Sequence, residues 1–143
     1  MTSRLWLMAG GVLSAGAALL HIAIIFGGPA WYRFFGAGEG MARAAERGHA
    51  RPALFAIGIA AILFVWAAYA FSGAGAIRRL PLLRTALVAI SAVYLLRALA
   101  PLPILLLWPE RVDAFLLWSS AIVLVYGLAY AIGTWAMWPQ LRK

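Results

Sequence analysis

The chain has 143 residues, 66% of them hydrophobic and 11% charged, whereas a soluble globular domain is about 45–50% apolar and about 25% charged. That excess excludes a soluble domain and leaves an integral membrane protein. A net charge of +8 would suggest nucleic acid in a soluble protein, but here the arginines stand at the ends of apolar tracts, where they anchor to headgroups. The expected partner is therefore the lipid bilayer, anionic lipids included, and not nucleic acid. The lack of cysteine removes disulfides, thiolate nucleophiles and cysteine metal ligands.

In chain order, the first apolar run covers residues 5–26 and ends at Gly27, Gly28 and Pro29. It is longer than the roughly 7–15 residues of a signal-peptide core, so it reads as a first membrane span. The connection that follows contains "YRFFGAGEGMAR", and its opening pattern returns as "YAFSGAGAIRR" from Tyr69. Both copies of Tyr-x-Phe-x-Gly-Ala-Gly read as exit devices, with aromatics at the interface and glycines that let the chain leave a helix. Within the connection, Glu39 and Arg43 stand four apart in the favourable order and "MARAAER" favours helix, which predicts a short surface helix in 36–51. The second span is predicted over 52–71. The third starts near 80 and either ends near 99 or continues kinked to 108, because Pro101 and Pro103 interrupt it. The fourth runs over 113–138, with Pro139 and a polar tail to Lys143 after it. The expected fold is a single all-α membrane domain over 1–143: four transmembrane helices in an antiparallel bundle plus the surface helix.

The aromatics form two belts in this register, Trp6, Trp66, Tyr69, Trp135 and Trp138 at one face and Trp31, Tyr32, Trp108 and Trp118 at the other. The face of the termini carries Arg4, Arg78, Arg79, Arg84, Arg142 and Lys143 without an acid. The opposite face holds all four acids, Glu39, Glu46, Glu110 and Asp113, with Arg33, Arg43, Arg47, Arg51 and Arg111, and Arg97 is expected toward it as well. Basic residues nearly balance, so the positive-inside rule leans only slightly to cytoplasmic termini, in what reads as a bacterial inner membrane.

Candidate site residues gather toward the acid-bearing face. His21 lies on a stripe with Gly10, Ser14 and Ala17, which turns it toward protein. It reads either as a proton carrier or ligand contact, or as an imidazole bonded to nearby backbone. Arg97 cannot shed its charge inside a span, so it needs a carboxylate, an anionic ligand or a route to the interface, and Tyr94 shares its face. Asp113 heads a stripe with Ser120, Gly127 and Thr134, and is both a helix cap and a possible mate for Arg97 or Arg33. Trp31, Arg33 and Glu39 complete the expected ligand-binding set of His21, Trp31, Arg33, Glu39, Tyr94, Arg97 and Asp113. Glu46 and His49 have the Glu-x-x-His spacing of carboxylate-bridged metal sites, which need a second copy that this chain lacks. His21 with His49 could ligate a haem, yet the pattern assigns no cofactor, metal or catalytic residue. "GAGEG" lacks the strand and Lys-Ser or Lys-Thr of a phosphate loop.

"RAAERGHARPALF", 43–55, resembles the first connection and second-span start of the MAPEG family, small four-span trimers that include membrane glutathione transferases. Arg43, Ala44 and His49 match its Arg-Ala pair and His, while Arg51 and Pro52 stand where the family has Asn and Glu. This resemblance implies, as the alternative, a trimeric transferase using glutathione or a similar thiol. The leading expectation is a non-enzymatic membrane protein. It would bind or pass a small anionic or amphiphilic ligand, or serve in a homo-oligomer or larger complex as an accessory subunit.

Overall fold

The computed structural model describes residues 2–142, so Lys143 of the basic tail lies outside the described residues. Its helices are α1 (Thr2–Gly27), α2 (Pro29–Phe34), α3 (Glu39–Glu46), α4 (Arg51–Gly73), α5 (Leu83–Leu99), α6 (Pro101–Leu107) and α7 (Ala114–Ala136). Four spans emerge: α1, α4, α5 continued by α6, and α7, with 26, 23, 25 and 23 residues. At about 1.5 Å per residue each exceeds a hydrocarbon core of about 30 Å. The chain is an all-α integral membrane protein with four spans, and short helices lie between the first and second.

The burial pattern is that of a protein in lipid. Ala18, Ala60, Ala67 and Ala70 are buried, whereas Leu5, Phe26, Leu54, Leu106 and Trp135 are exposed. Small residues let backbones approach and large apolar ones meet acyl chains, because burying leucine gains little where the solvent is itself apolar.

The third span does not stop at Leu99. Ala100 keeps helical angles (φ −53, ψ −33), and α6 carries the apolar run on to Leu107. Pro101 and Pro103 have no N–H to return to the carbonyls of Arg97 and Leu99, which is why the helix is interrupted and not ended.

The chain divides into two compact units, residues 15–65 and the described residues on either side of them. In the flanking unit α5 lies along α7. Added β-carbons would sit 2.8 Å from Leu95 at Gly127, 2.7 Å from Leu7 at Gly133 and 2.9 Å from the Tyr130 ring at Gly10. Ser120, Gly127 and Thr134 are buried, as their sevenfold spacing predicts. Asp113, at the exposed end of that stripe, caps α7 by accepting from the Leu116 amide at 2.7 Å.

In the 15–65 unit α2 packs on α3, around Ile24, Tyr32 and Ala42 with Phe35 and Ala45. Tyr32 is only 5% exposed, so it is a core residue here and not part of the interfacial belt. Trp66, in the other unit, likewise turns inward, edge-on to Tyr94 at 4.9 Å.

The two Gly-Ala-Gly copies do end helices, in different register. After α2, Gly36 (φ +74) takes the left-handed position and its amide and that of Ala37 return to Arg33 and Tyr32. After α4 the second glycine of the triplet does this: Gly75 (φ +72) and Ala76 bond back to Ser72 and Phe71. Both are Schellman exits, in which only glycine adopts positive φ without cost.

Candidate functional site

The polar chemistry of the 15–65 unit is sorted by one arginine. Arg33 Nε and Nη2 grip Glu39 as a bidentate pair, each at 2.9 Å, and Nη2 also reaches Glu46 at 2.7 Å. Arg43 Nε adds a 3.1 Å bond to Glu39 from one turn along α3. Hydrogen bonds from Arg33 and then Arg43 pull the Glu39 carboxyl down to about 2, and those from Glu39 and Glu46 hold Arg33 above its ordinary value. Burial pushes the neighbouring Tyr32 phenol up. Glu39 at the start of α3 and Arg43 in its last turn also suit the helix dipole.

This fixes a pH dependence. A carboxylate with a depressed folded value contributes stability that is present above its unfolded value, near 4.5, and lost as pH falls through about 2. The contacts between α2 and α3 are therefore expected to hold at pH 5 and loosen progressively below 4.5. Carbon-13 titration of the Glu39 side chain in detergent checks this, and a midpoint near 4.5 would contradict it.

With both α3 acids held by Arg33, the rest of the connection is purely basic. α3 ends at Glu46, and Gly48 (φ +73) makes the turn, the amides of Gly48 and His49 returning to Ala45 and Ala44 at 3.0 Å. This Schellman turn brings the chain back past its own helix into α4. It borders an open cavity of about 560 Å³ lined by Gly40, Arg43, Ala44, Arg47, His49, Ala50 and Arg51. Among the described residues Arg47, His49 and Arg51 have no carboxylate within salt-bridge distance. The positive end of the 23-residue α4 faces the same space, and its flanking residue Ala50 has no side-chain oxygen to cap the first amides. Three guanidinium groups, an imidazole and a helix N-terminus make this cavity attractive to an anion of small-molecule size.

The same turn separates Glu46 from His49. The helix stops between them, so the two do not project from one helical face as a Glu-x-x-His metal pair would, and Glu46 is engaged by Arg33.

In the flanking unit, Tyr94, Ser14 and Tyr130 form one chain of hydroxyls. Tyr130 donates to the Trp66 carbonyl at 3.0 Å, so its oxygen must accept from Ser14 at 2.8 Å. Ser14 in turn accepts from Tyr94 at 2.7 Å. The order Tyr94 to Ser14 to Tyr130 to Trp66 is the one arrangement that gives each proton an acceptor. It joins α1, α4, α5 and α7. Such bonds within a membrane contribute on average about 0.6 kcal/mol each, and at most about 1.7, so the chain mainly specifies helix register.

Of the residues expected to form one site, His21, Trp31, Arg33 and Glu39 belong to the 15–65 unit and Tyr94, Arg97 and Asp113 to the flanking one. Arg33 and Glu39 meet. Trp31 covers Gly27 and tilts against Phe35 at 5.8 Å. His21 bonds through Nδ1 to the Ala17 carbonyl at 2.8 Å, one turn back on its own helix. Tyr94 belongs to the hydroxyl chain. Arg97 takes neither a carboxylate nor the interface alone but donates to Ser120 at 2.8 Å and Ser119 at 3.2 Å on α7. Asp113 is the α7 cap and forms no ion pair with Arg97 among the described residues. Arg43, Arg47, His49 and Arg51 were not in the expected set, although the fourfold spacing of the three arginines is visible in the sequence. Tyr130 was also missed; a phenol deep in an apolar span has to find an acceptor.

Comparison with protein-family models, curated proteins and solved structures finds no match to this chain.

Proposed function

We propose that this small membrane protein captures a small anionic or amphiphilic ligand in the Arg43–Arg47–His49–Arg51 cavity, for binding or passage and without covalent chemistry. The observation that carries the reading is the segregation of charge: Arg33 engages Glu39 and Glu46, Arg43 shares Glu39, and among the described residues Arg47, His49 and Arg51 of the cavity wall have no carboxylate partner. A ligand at a hundredfold excess over its Kd stabilises the folded state by about 2.7 kcal/mol. Thermal unfolding in a neutral detergent with inorganic phosphate, a dicarboxylate and decanoate tests this. A rise in Tm with at least one anion, absent from its uncharged analogue, is expected; no response to any of the three would remove the reading.

A second reading uses the same cavity. Arg43, Ala44 and His49, the residues by which this stretch resembles the MAPEG family, all line it, which favours a thiol peptide such as glutathione as the anion. A trimer in detergent and a Tm that rises with glutathione beyond its rise with a dicarboxylate would support that transferase-like reading. A monomer indifferent to glutathione would exclude it. An accessory-subunit role would instead appear as a protein partner that co-purifies.

The same proposal keeps the protein in a bacterial inner membrane with its termini in the cytoplasm, so that the cavity opens on the outer side. The chain has no cysteine, which makes single introduced cysteines unambiguous reporters. Ala37→Cys is expected to react with a membrane-impermeant maleimide in intact cells and Ala76→Cys only after lysis; the reverse pattern would invert the orientation.

A further inference from the structure

A second basic cavity, unrelated to the first, lies in the flanking unit where the connection between α4 and α5 meets the C-terminal turn. It is an open cavity of about 510 Å³, lined by the polar Arg79, Arg84 and Thr85 together with the apolar Leu80, Pro81, Leu82, Leu83 and Leu141. Its walls are held by specific bonds. Ser72 donates to the Arg78 carbonyl at 3.0 Å and accepts from the Leu80 amide at 2.9 Å. Tyr69 donates to the Pro81 carbonyl at 3.2 Å. Arg79 donates to the carbonyls of Gln140 and Leu141, tying the connection to the chain end.

The Arg84 guanidinium lies 3.6 Å from the centre of the Trp138 ring. Stacking fixes the plane of the guanidinium while its N–H groups point outward from the edge, so it is preorganised for a bidentate acceptor. No hydrogen bond or ion pair engages it among the described residues. No acidic side chain occurs between Glu46 and Glu110 or after Asp113, so no side-chain carboxylate of this part of the chain competes for it. Leu82 is 78% exposed and stands at the start of α5 without a side-chain oxygen to meet the first amides.

A cavity that combines two arginines with apolar side chains, at the ends of membrane spans, matches one chemical class. We propose that it seats the headgroup of an anionic phospholipid. The phosphate lies against the Arg84 edge and the Thr85 hydroxyl, and the glycerol and first methylenes run along Leu80, Pro81 and Leu82. A free phosphate would use only the polar half and leave three apolar side chains in water. A zwitterionic lipid would bring its own cation toward Arg79 and Arg84.

The test is native mass spectrometry of the detergent-extracted full chain, with thermal unfolding in parallel. The probes are phosphatidylglycerol, phosphatidylcholine with the same acyl chains, and inorganic phosphate. Wild type is expected to retain phosphatidylglycerol in preference to phosphatidylcholine and to show no matching stabilisation by inorganic phosphate. Arg84→Gln is expected to weaken phosphatidylglycerol retention about fivefold or more, the effect of one basic residue near an anionic surface. Arg78→Gln, which removes an equal charge outside the cavity, is expected to change it much less. Leu82→Glu places a carboxylate at the cavity mouth from an exposed position and is expected to give the same loss, so the test does not depend on how well Arg84→Gln folds. Equal retention of the two lipids, equal losses for Arg78→Gln and Arg84→Gln, or full stabilisation by inorganic phosphate alone would each overturn the proposal.

Discussion

Gly133→Ala is expected to destabilise the protein by about 1–3 kcal/mol, the usual cost of overpacking, although the same change in an exposed helix interior would stabilise it by up to about 1 kcal/mol. The sign reverses because the new methyl would lie 2.7 Å from Leu7 Cγ and 3.0 Å from the Leu7 backbone nitrogen. A side-chain tip could swing away, but the backbone of α1 cannot move without shifting the register that the Ser14–Tyr130 bond depends on. Gly58→Ala in α4, where no atom lies within 4 Å of the added carbon, provides the comparison and is expected to be neutral or stabilising. Thermal midpoints of the two variants in one detergent decide the matter. Equal stabilisation by both would mean that α1 and α7 do not approach as closely as described.

The second large effect is expected at the basic cavity. Arg47→Gln and Arg51→Gln should each weaken binding of an anion that raises the wild-type Tm by about tenfold or more. A hydrogen bond to a charged group contributes about 1.5–3 kcal/mol and each 1.4 kcal/mol is tenfold. The lower end applies because both arginines are exposed and salt screens them, so affinity should also fall as ionic strength rises. Lysine at either position should recover part of the loss, since it keeps the charge and loses the planar fork. Affinities from isothermal titration that are unchanged in both glutamine variants would place the anion elsewhere.

The spans were legible because hydropathy over some 20 residues depends on composition alone, and glycine exits because positive φ is a local demand. The stripe of Ser120, Gly127 and Thr134 was legible for the same reason, as a helical period within one element. The path beyond Leu99 was not: Pro101 can end a helix or only interrupt it, and the outcome depends on whether the freed carbonyls are tolerated. The hydroxyl chain was illegible because Ser14, Tyr94 and Tyr130 lie 80 and 116 residues apart, and only the crossing of helices decides which phenols meet. Arg97 was recognised as needing a partner, but its serines lie on another span. At the cavity, Arg33 was expected in the ligand-binding set, and two glutamates along the same connection engage it. Once they do, Arg47 and Arg51, on either side of Gly48, become the groups with charge to offer.

The most direct test of that charge sorting is native mass spectrometry of the gently extracted protein beside its Arg47→Gln/Arg51→Gln double variant. The wild type is expected to retain a small anionic species that collisional activation releases, and the double variant to fly without it at the same oligomeric state. Retention of the same species by both proteins, or by neither in the presence of every anion that raises the wild-type Tm, would contradict an anion-binding role for this cavity.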